Sequence, residues 1–172
     1  MHNAYKCGKY WRNIPTCEER GLCQVCDRVE ESMEHILTEC RATSQAEIWK
    51  LAEELWLLHS LPWTMPRFGT ILGYGLAMYQ SEEGNQKLTG ANCLYAIIVS
   101  ESAHLIWRLR YKWKFSEGAA PEKIPSDNAV REMWLRNINH RLQLEMLQTD
   151  KLRYGRKALN STLVEKTWWG VL

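Results

Sequence analysis

Four residues that can ligate a metal ion lie close together near the start of the sequence. Cys23, Cys26, His35 and Cys40 form the pattern C-x2-C-x8-H-x4-C. Thiolate and imidazole groups are the donors that a tetrahedral zinc ion takes in proteins, and two cysteines separated by two residues can converge on one ion from a tight turn. The alternative is a coincidence of thiols in a reduced core. Because protein ligands fill all four positions, the pattern predicts a structural rather than a catalytic zinc ion.

The spacing between the last two ligands also makes a local prediction. A separation of five residues overshoots one helical face by about 140°, since each residue of an α-helix turns by about 100°. Cys40 is therefore expected at or just beyond the end of a helix that carries His35. Of the other cysteines, Cys7 and Cys17 are either free thiols or auxiliary ligands, whereas the apolar neighbours of Cys93 indicate an inert buried thiol.

Length and charge limit the classes of protein to be considered. The 172 residues suffice for one domain of ordinary size with an appendage. A net charge of +2 is too small to identify a dedicated nucleic-acid-binding protein by itself. Six cysteines are too few for a disulfide framework, and residues 1–15 are too polar for a signal peptide. The expected location is intracellular, either cytoplasmic or nuclear.

Apolar residues recur at helical spacing through most of the chain, and no segment alternates apolar and polar residues as a half-buried strand does. The stretch 91–107 is apolar but is interrupted by polar residues, which indicates a buried helix rather than a membrane span. The prediction is an all-α fold, with a helical body and a small N-terminal zinc-binding module. We expect the module over residues 1–42 and the helical domain, packed against it, over 43–172. The individual helices are predicted at 45–59, at 87–113, from Ser126 or Asp127 to about 146, and from a start near residues 160–162, where Thr162 and Glu165 form a capping box.

Two clusters interleave basic and aromatic side chains, which suits contacts with phosphates and stacking of bases on single strands. The alternative is that each cluster is a solvated helix face with its aromatic rings in the core. The predicted nucleic-acid-binding residues are Arg108, Arg110, Lys112 and Lys114 in the first cluster, and Lys151, Arg153, Arg156 and Lys157 in the second.

Glu101 and His104 form an E-x-x-H pair within the predicted central helix. A di-iron site in a helical bundle needs a second such pair, and the sequence has none. The pair is therefore either a satisfied polar contact in or at the edge of the core, or a weak candidate for general acid–base catalysis.

Several strings give the sequence a resemblance to a known family. Residues 31–40, ESMEHILTEC, and 100–110, SESAHLIWRLR, are the most specific, and GTILGYG at 69–75 also contributes. Together they resemble the C-terminal zinc-containing segment of fungal non-LTR retrotransposon reverse transcriptase polyproteins, which follows the RNase H region. The resemblance implies a zinc-binding, nucleic-acid-associated accessory region with Cys23, Cys26, His35 and Cys40 as ligands. The catalytic carboxylates of the reverse transcriptase and the RNase H lie outside these residues, so neither activity is implied.

The first functional hypothesis is a non-catalytic, zinc-stabilised domain that derives from a retrotransposon and associates with single-stranded RNA or DNA but with no membrane. A second hypothesis is a recruited enzyme with a pocket between its two long helices, lined by Glu101 and His104. A third is a protein-interaction module that uses exposed tryptophans.

Overall fold

The computed structural model of the protein describes residues 6–26, 28–41, 44–81, 84 and 86–171. The predicted all-α fold is confirmed, and the described residues contain no strand beyond two isolated antiparallel bridges, Leu22–Glu30 and Gln80–Lys87. The predicted boundary between module and body, at residues 42 and 43, lies outside the described residues. The α-helices in chain order are α1 (Lys9–Arg12), α2 (Gln45–Leu57), α3 (Phe68–Leu72), α4 (Thr89–Tyr111), α5 (Asp127–Gln148), α6 (Lys151–Tyr154) and α7 (Ser161–Thr167). Short 3-10 turns occupy Glu18–Gly21, Tyr74–Leu76, Pro121–Lys123 and Gly155–Lys157, and wider π-helical turns occupy His35–Glu39 and Lys112–Ser116.

Helix α4 lies at the centre of the body, in contact with α2, α5 and α7. Its apolar residues recur every three or four positions, and Leu94, Ile98, Leu105 and Ile106 are completely buried. The prediction of a buried helix over 91–107 is thus confirmed. No helix in the described ranges combines the length and the apolar character that crossing a membrane requires.

Five buried tryptophans form much of the core, and each indole N–H donates a hydrogen bond. A buried indole without a partner would cost the desolvation of its N–H group, so these bonds fix how the elements pack. The acceptors lie on loops and on neighbouring helices. The pairs are Trp49 with Leu37 O (2.8 Å), Trp56 with Pro62 O (3.2 Å), Trp113 with Ala120 O (2.8 Å), Trp134 with Ser102 Oγ (2.9 Å) and Trp168 with Glu145 Oε2 (2.9 Å).

The helix starts agree only in part with the sequence-based expectations. Ser126 caps α5 as predicted, because its hydroxyl accepts a hydrogen bond from the Ala129 amide at 3.4 Å. The predicted start of α7 near residues 160–162 is confirmed, but the capping box at Thr162 is wrong, since the side chain of Asn160 accepts from the Leu163 amide at 3.1 Å.

The first turn of α4 meets the end of α7 with almost no space between the two backbones. A Cβ atom placed on Gly90 would lie 2.4 Å from the carbonyl oxygen of Lys166. Only glycine permits so close an approach without displacing one of the helices.

Candidate metal centre

The first two ligands lie on a short turn that points both thiols inward. The amide of Cys23 donates to Val29 O at 2.7 Å, and the amide of Val29 donates to Cys26 O at 2.9 Å, so the chain folds back between Leu22 and Glu30. Cys23 is completely buried and Cys26 nearly so. This is the convergent geometry that the C-x2-C spacing predicts.

The π-helical turn His35–Glu39 brings the other two ligands together. The amide of Cys40 donates to His35 O at 2.7 Å, a bond between positions i+5 and i. This bond holds Cys40 close to His35, whereas an α-helical turn would bond residues four positions apart. Cys40 lies just beyond the turn, as predicted, while the π geometry itself is a feature that the spacing alone did not indicate.

The four ligand atoms form one buried cluster. All of them lie within 4.8 Å of one another. The sulfur of Cys40 is 3.7 Å from that of Cys23 and 4.0 Å from that of Cys26. The cluster contains neither Cys7 nor Cys17, so within the described residues both belong to the free-thiol alternative. Three sulfur atoms and one nitrogen atom at these distances can hold a metal ion.

His35 is oriented by a second contact. Its Nδ1 lies 3.2 Å from the Glu39 carboxylate, while its Nε2 is buried and has no hydrogen-bond partner among the described residues. A carboxylate that accepts the Nδ1 proton leaves the lone pair on Nε2, which is how metal-ligating histidines are commonly held.

The surroundings favour a thiolate at Cys23. The contact with Cys40 Sγ lowers the pKa of Cys23 to about 3, although burial opposes this shift, and the positive charge of Arg110 acts in the same direction as Cys40. Cys7 differs, because burial and the negative charge of Glu31 raise its pKa. The surrounding charges therefore favour a thiolate at Cys23 and a neutral thiol at Cys7.

Beside the cluster lies a group of buried charges contributed by distant parts of the chain. Arg110, in the last turn of α4, donates from Nε to Glu31 Oε1 at 2.5 Å and from Nη2 to Glu31 Oε2. The same Nη2 lies 3.4 Å from Cys23 Sγ. Lys114 Nζ contacts Glu31 Oε2 at 3.2 Å and donates to Arg20 O at 2.7 Å. We call Glu31, Arg110 and Lys114 the buried charge cluster.

No sequence pattern identified Glu31 as a functional residue, and the interleaved basic and aromatic residues predicted that Arg110 and Lys114 lie on a nucleic-acid-binding surface. That assignment is wrong for both cations, because their side chains are only 2% and 7% exposed. Arg110 follows Ile106 by four residues and therefore lies on the core-facing side of α4. A basic residue in an apolar helical stripe was the available signal of a buried ion pair.

The remaining basic residues do lie at the surface. Arg108 and Lys112 are exposed, and Lys112 pairs with Glu117 at 3.2 Å. The four members of the second cluster are exposed along α6 and the 3-10 turn after it, and none of them forms an ion pair with another described residue. We call this set the α6 patch, and its members are Lys151, Arg153, Arg156 and Lys157.

Glu101 and His104 do not form the predicted pocket. His104 is exposed on α4 and Glu101 is only partly buried. The position between them, Ser102, is the one that faces α5, where its hydroxyl accepts the indole N–H of Trp134. Val130, Trp134 and Ile138 of α5 are buried in the same core cluster as Leu105 and Ile106 of α4. A groove of about 1050 Å³ lies elsewhere, where α7 meets the start of α4.

No protein-family model matches this sequence, and comparisons with curated proteins and with solved structures give no match either.

Proposed function

We propose that Cys23, Cys26, His35 and Cys40 bind one structural zinc ion. The observation that carries the proposal is the buried cluster of four ligand atoms within 4.8 Å, in which His35 Nε2 has no other partner. Soft thiolates and an imidazole favour zinc over the calcium and magnesium ions that prefer oxygen ligands. With four protein ligands, no position is open for a reactive water, so the ion stabilises the fold and does not catalyse a reaction.

Charge balance gives the proposal independent support. Three thiolates around a divalent ion carry one net negative charge, and Glu31 carries a second. Arg110 and Lys114 supply two positive charges, and their side chains are almost completely buried in the same place. Buried charges are tolerated where they are paired, and here the pairing is complete when the ion is divalent and the three thiols are deprotonated.

Metal analysis of the purified full chain tests this proposal. We expect one zinc ion per chain, and cobalt substituted for zinc should give the absorption bands of a tetrahedral ion with thiolate ligands. Replacement of His35 by alanine should lower the metal content, because it removes the only nitrogen ligand. A protein that contains no stoichiometric metal, and whose thermal unfolding a chelator leaves unchanged, would contradict the proposal.

We further propose that the α6 patch contacts the phosphates of single-stranded RNA or DNA, as an accessory domain of retrotransposon origin would. The support for that origin is the resemblance of the strings at 31–40 and 100–110. The support for the contact is the set of four exposed cations without an ion-pair partner among the described residues. Tyr154 lies in the same segment, with the Arg153 guanidinium 5.6 Å from its ring. Unpaired cations beside a ring are suited to a flexible polyanion that carries bases.

A salt titration of binding to fluorescently labelled single-stranded oligonucleotides tests the second proposal. Each phosphate that a cation neutralises contributes about 0.7 to the slope of log affinity against log salt, so four contacts predict a slope of roughly −3. A variant with all four cations of the α6 patch changed to glutamine should lose this slope. The matched control changes the exposed Arg108 and Lys112 to glutamine and should retain most of it. Binding that is equally strong at low and high salt contradicts the proposal.

A further inference from the structure

The guanidinium of Arg110 is held between a carboxylate and a ligand sulfur atom. Its Nε and Nη2 donate to the two carboxylate oxygens of Glu31, and its Nη2 also lies within hydrogen-bond distance of Cys23 Sγ, at 3.4 Å. The plane of the group is further covered by the Trp113 ring, whose centroid is 4.7 Å from the guanidinium carbon. A planar fork that is bound at both carboxylate oxygens has a fixed orientation, so the contact with the sulfur is fixed as well.

This contact crosses a long interval of sequence. Arg110 is 87 residues from Cys23 and 79 residues from Glu31, and it is contributed by the last turn of α4. Trp113, in the turn that follows α4, packs on Cys23, Cys26 and Cys40 in one apolar cluster. The second layer of contacts around the ligands thus has two sources: Glu39, within the ligand-bearing segment, contacts His35, and Arg110 and Trp113, from the distant end of α4 and the turn after it, lie against Cys23.

We propose that Arg110 is a positioning residue of the metal centre, which binds the Cys23 thiolate through an N–H···S hydrogen bond and thereby links metal binding to the docking of α4. The inference rests on the zinc proposal and deepens it. A hydrogen bond from a cation stabilises the negative charge of a metal-bound thiolate, strengthens metal binding and makes the sulfur atom less reactive toward electrophiles. Contacts of this second layer typically change metal affinity by about 10- to 100-fold.

A purely structural role for Arg110 is the competing explanation. In that case the ion pair with Glu31 would only tie α4 to the ligand-bearing segment. Its loss would then lower thermal stability without changing the metal site. The two explanations differ in the electronic properties of the metal–sulfur bond, which a role in packing alone does not alter.

The test compares cobalt binding by the full chain with that of two variants. Glu31→Gln with Arg110→Met removes the contact to Cys23 Sγ and takes away one negative and one positive charge together. Lys114 loses its carboxylate partner in this variant but keeps its hydrogen bonds to Arg20 O and Leu22 O. Arg110→Lys keeps the charge, but one ammonium group cannot replace the fork that contacts the carboxylate and the sulfur together. The control is Ser102→Ala, which removes the buried hydrogen bond to Trp134 on the same helix, away from the metal ligands.

Affinity is measured by competition with a chelator, and the sulfur-to-cobalt charge-transfer band is recorded at a temperature where every variant is folded. We expect both Arg110 variants to bind cobalt about 10- to 100-fold more weakly than the wild type. Their band should move to lower energy, because a thiolate that loses a hydrogen bond gives up its electrons more readily. Ser102→Ala should be less stable but keep the affinity and the band of the wild type.

Each outcome has a distinct meaning. Arg110 variants with wild-type affinity and band position, but with reduced stability, would overturn the inference while leaving the zinc proposal intact. A wild-type chain that gives no tetrahedral cobalt spectrum would overturn the zinc proposal, and the inference with it.

Discussion

Replacement of Gly90 by alanine should destabilise the protein, although alanine is the better helix former. In the first turn of α4, the new Cβ would lie 2.4 Å from the carbonyl oxygen of Lys166 and 2.6 Å from its carbonyl carbon, whereas contacts below 3.0 Å essentially never occur. Both atoms belong to the backbone of α7, so no side chain can rotate away. To restore a distance of 3.4 Å from 2.4 Å, α7 must retreat from α4 by about 1 Å.

The free-energy change follows from two opposing effects. Overpacking of this kind costs about 1–3 kcal/mol. The retreat of α7 opens a gap in the core, and a gap of about 0.5–1 Å loses roughly a quarter to a half of each contact energy across it. The buried residues that anchor α7, Val164 and Trp168, would lose contacts together. Replacement of glycine by alanine within a helix stabilises the folded state by at most about 1 kcal/mol. We therefore expect a net loss of about 1–2 kcal/mol.

Gly69 provides a matched control, since it lies in α3 and no atom approaches within 4 Å of its added Cβ. Gly69→Ala should be neutral or more stable than the wild type by up to about 1 kcal/mol. The assay is urea unfolding followed by tryptophan fluorescence, with saturating zinc and a reductant present in every sample. If Gly90→Ala proves as stable as the wild type or as Gly69→Ala, the close approach of α4 and α7 is not a feature of the folded protein in solution.

Three further predictions concern separate parts of the molecule. Burial lowers the pKa of His59, so the unfolded state binds a proton at this side chain more readily than the folded state does. Above about pH 6.5 the imidazole is neutral in both states, and below that pH protonation of the unfolded state lowers the free energy of unfolding. His59→Gln should therefore lose less stability than the wild type between pH 7.5 and 5.5, and equal losses in urea unfolding would refute this. Ser102→Ala and Trp134→Phe should show a coupling energy of about 0.5–1.5 kcal/mol in a double-mutant cycle, and additive losses would exclude the hydrogen bond between them. Cys40→Ser should abolish stoichiometric zinc and lower the melting temperature, whereas Cys93→Ser on α4 should change neither; an unaffected Cys40 variant would remove that residue from the ligand set.

Local sequence patterns predicted much of the fold and the candidate ligand set. Helical periodicity identified the buried face of α4 because the spacing of side chains on a helix depends only on its own backbone. The ligand pattern predicted that four donors converge for a similar reason, since Cys23 and Cys26 share one turn and His35 and Cys40 share another. The π-helical form of the second turn could not be read from the spacing, because a helix end just before Cys40 would satisfy the same pattern.

The partners of the basic residues could not be predicted in this way, although the position of Arg110 four residues after Ile106 was a signal of its burial. Arg108 and Arg110 are neighbours in one string, yet one is exposed and the other is buried against Glu31, 79 residues away. Glu101 and Ser102 also differ in burial although they are adjacent. Glu101 lies at the edge of the core, whereas Ser102 is buried and faces Trp134. Positions one residue apart on a helix point about 100° apart and positions two residues apart about 200°, so close neighbours in sequence meet different partners.

The sequence by itself thus determined a helical chain with four candidate metal ligands near its start, because short-range spacing specifies both. Only the tertiary structure decided which cations remain exposed, that Gly90 lies against the backbone of α7, and that Arg110 lies beside Cys23. Each of these depends on segments that are distant along the chain and come together only when the core forms. The partner that each buried charge meets is a property of that assembled environment, and no local pattern contains it.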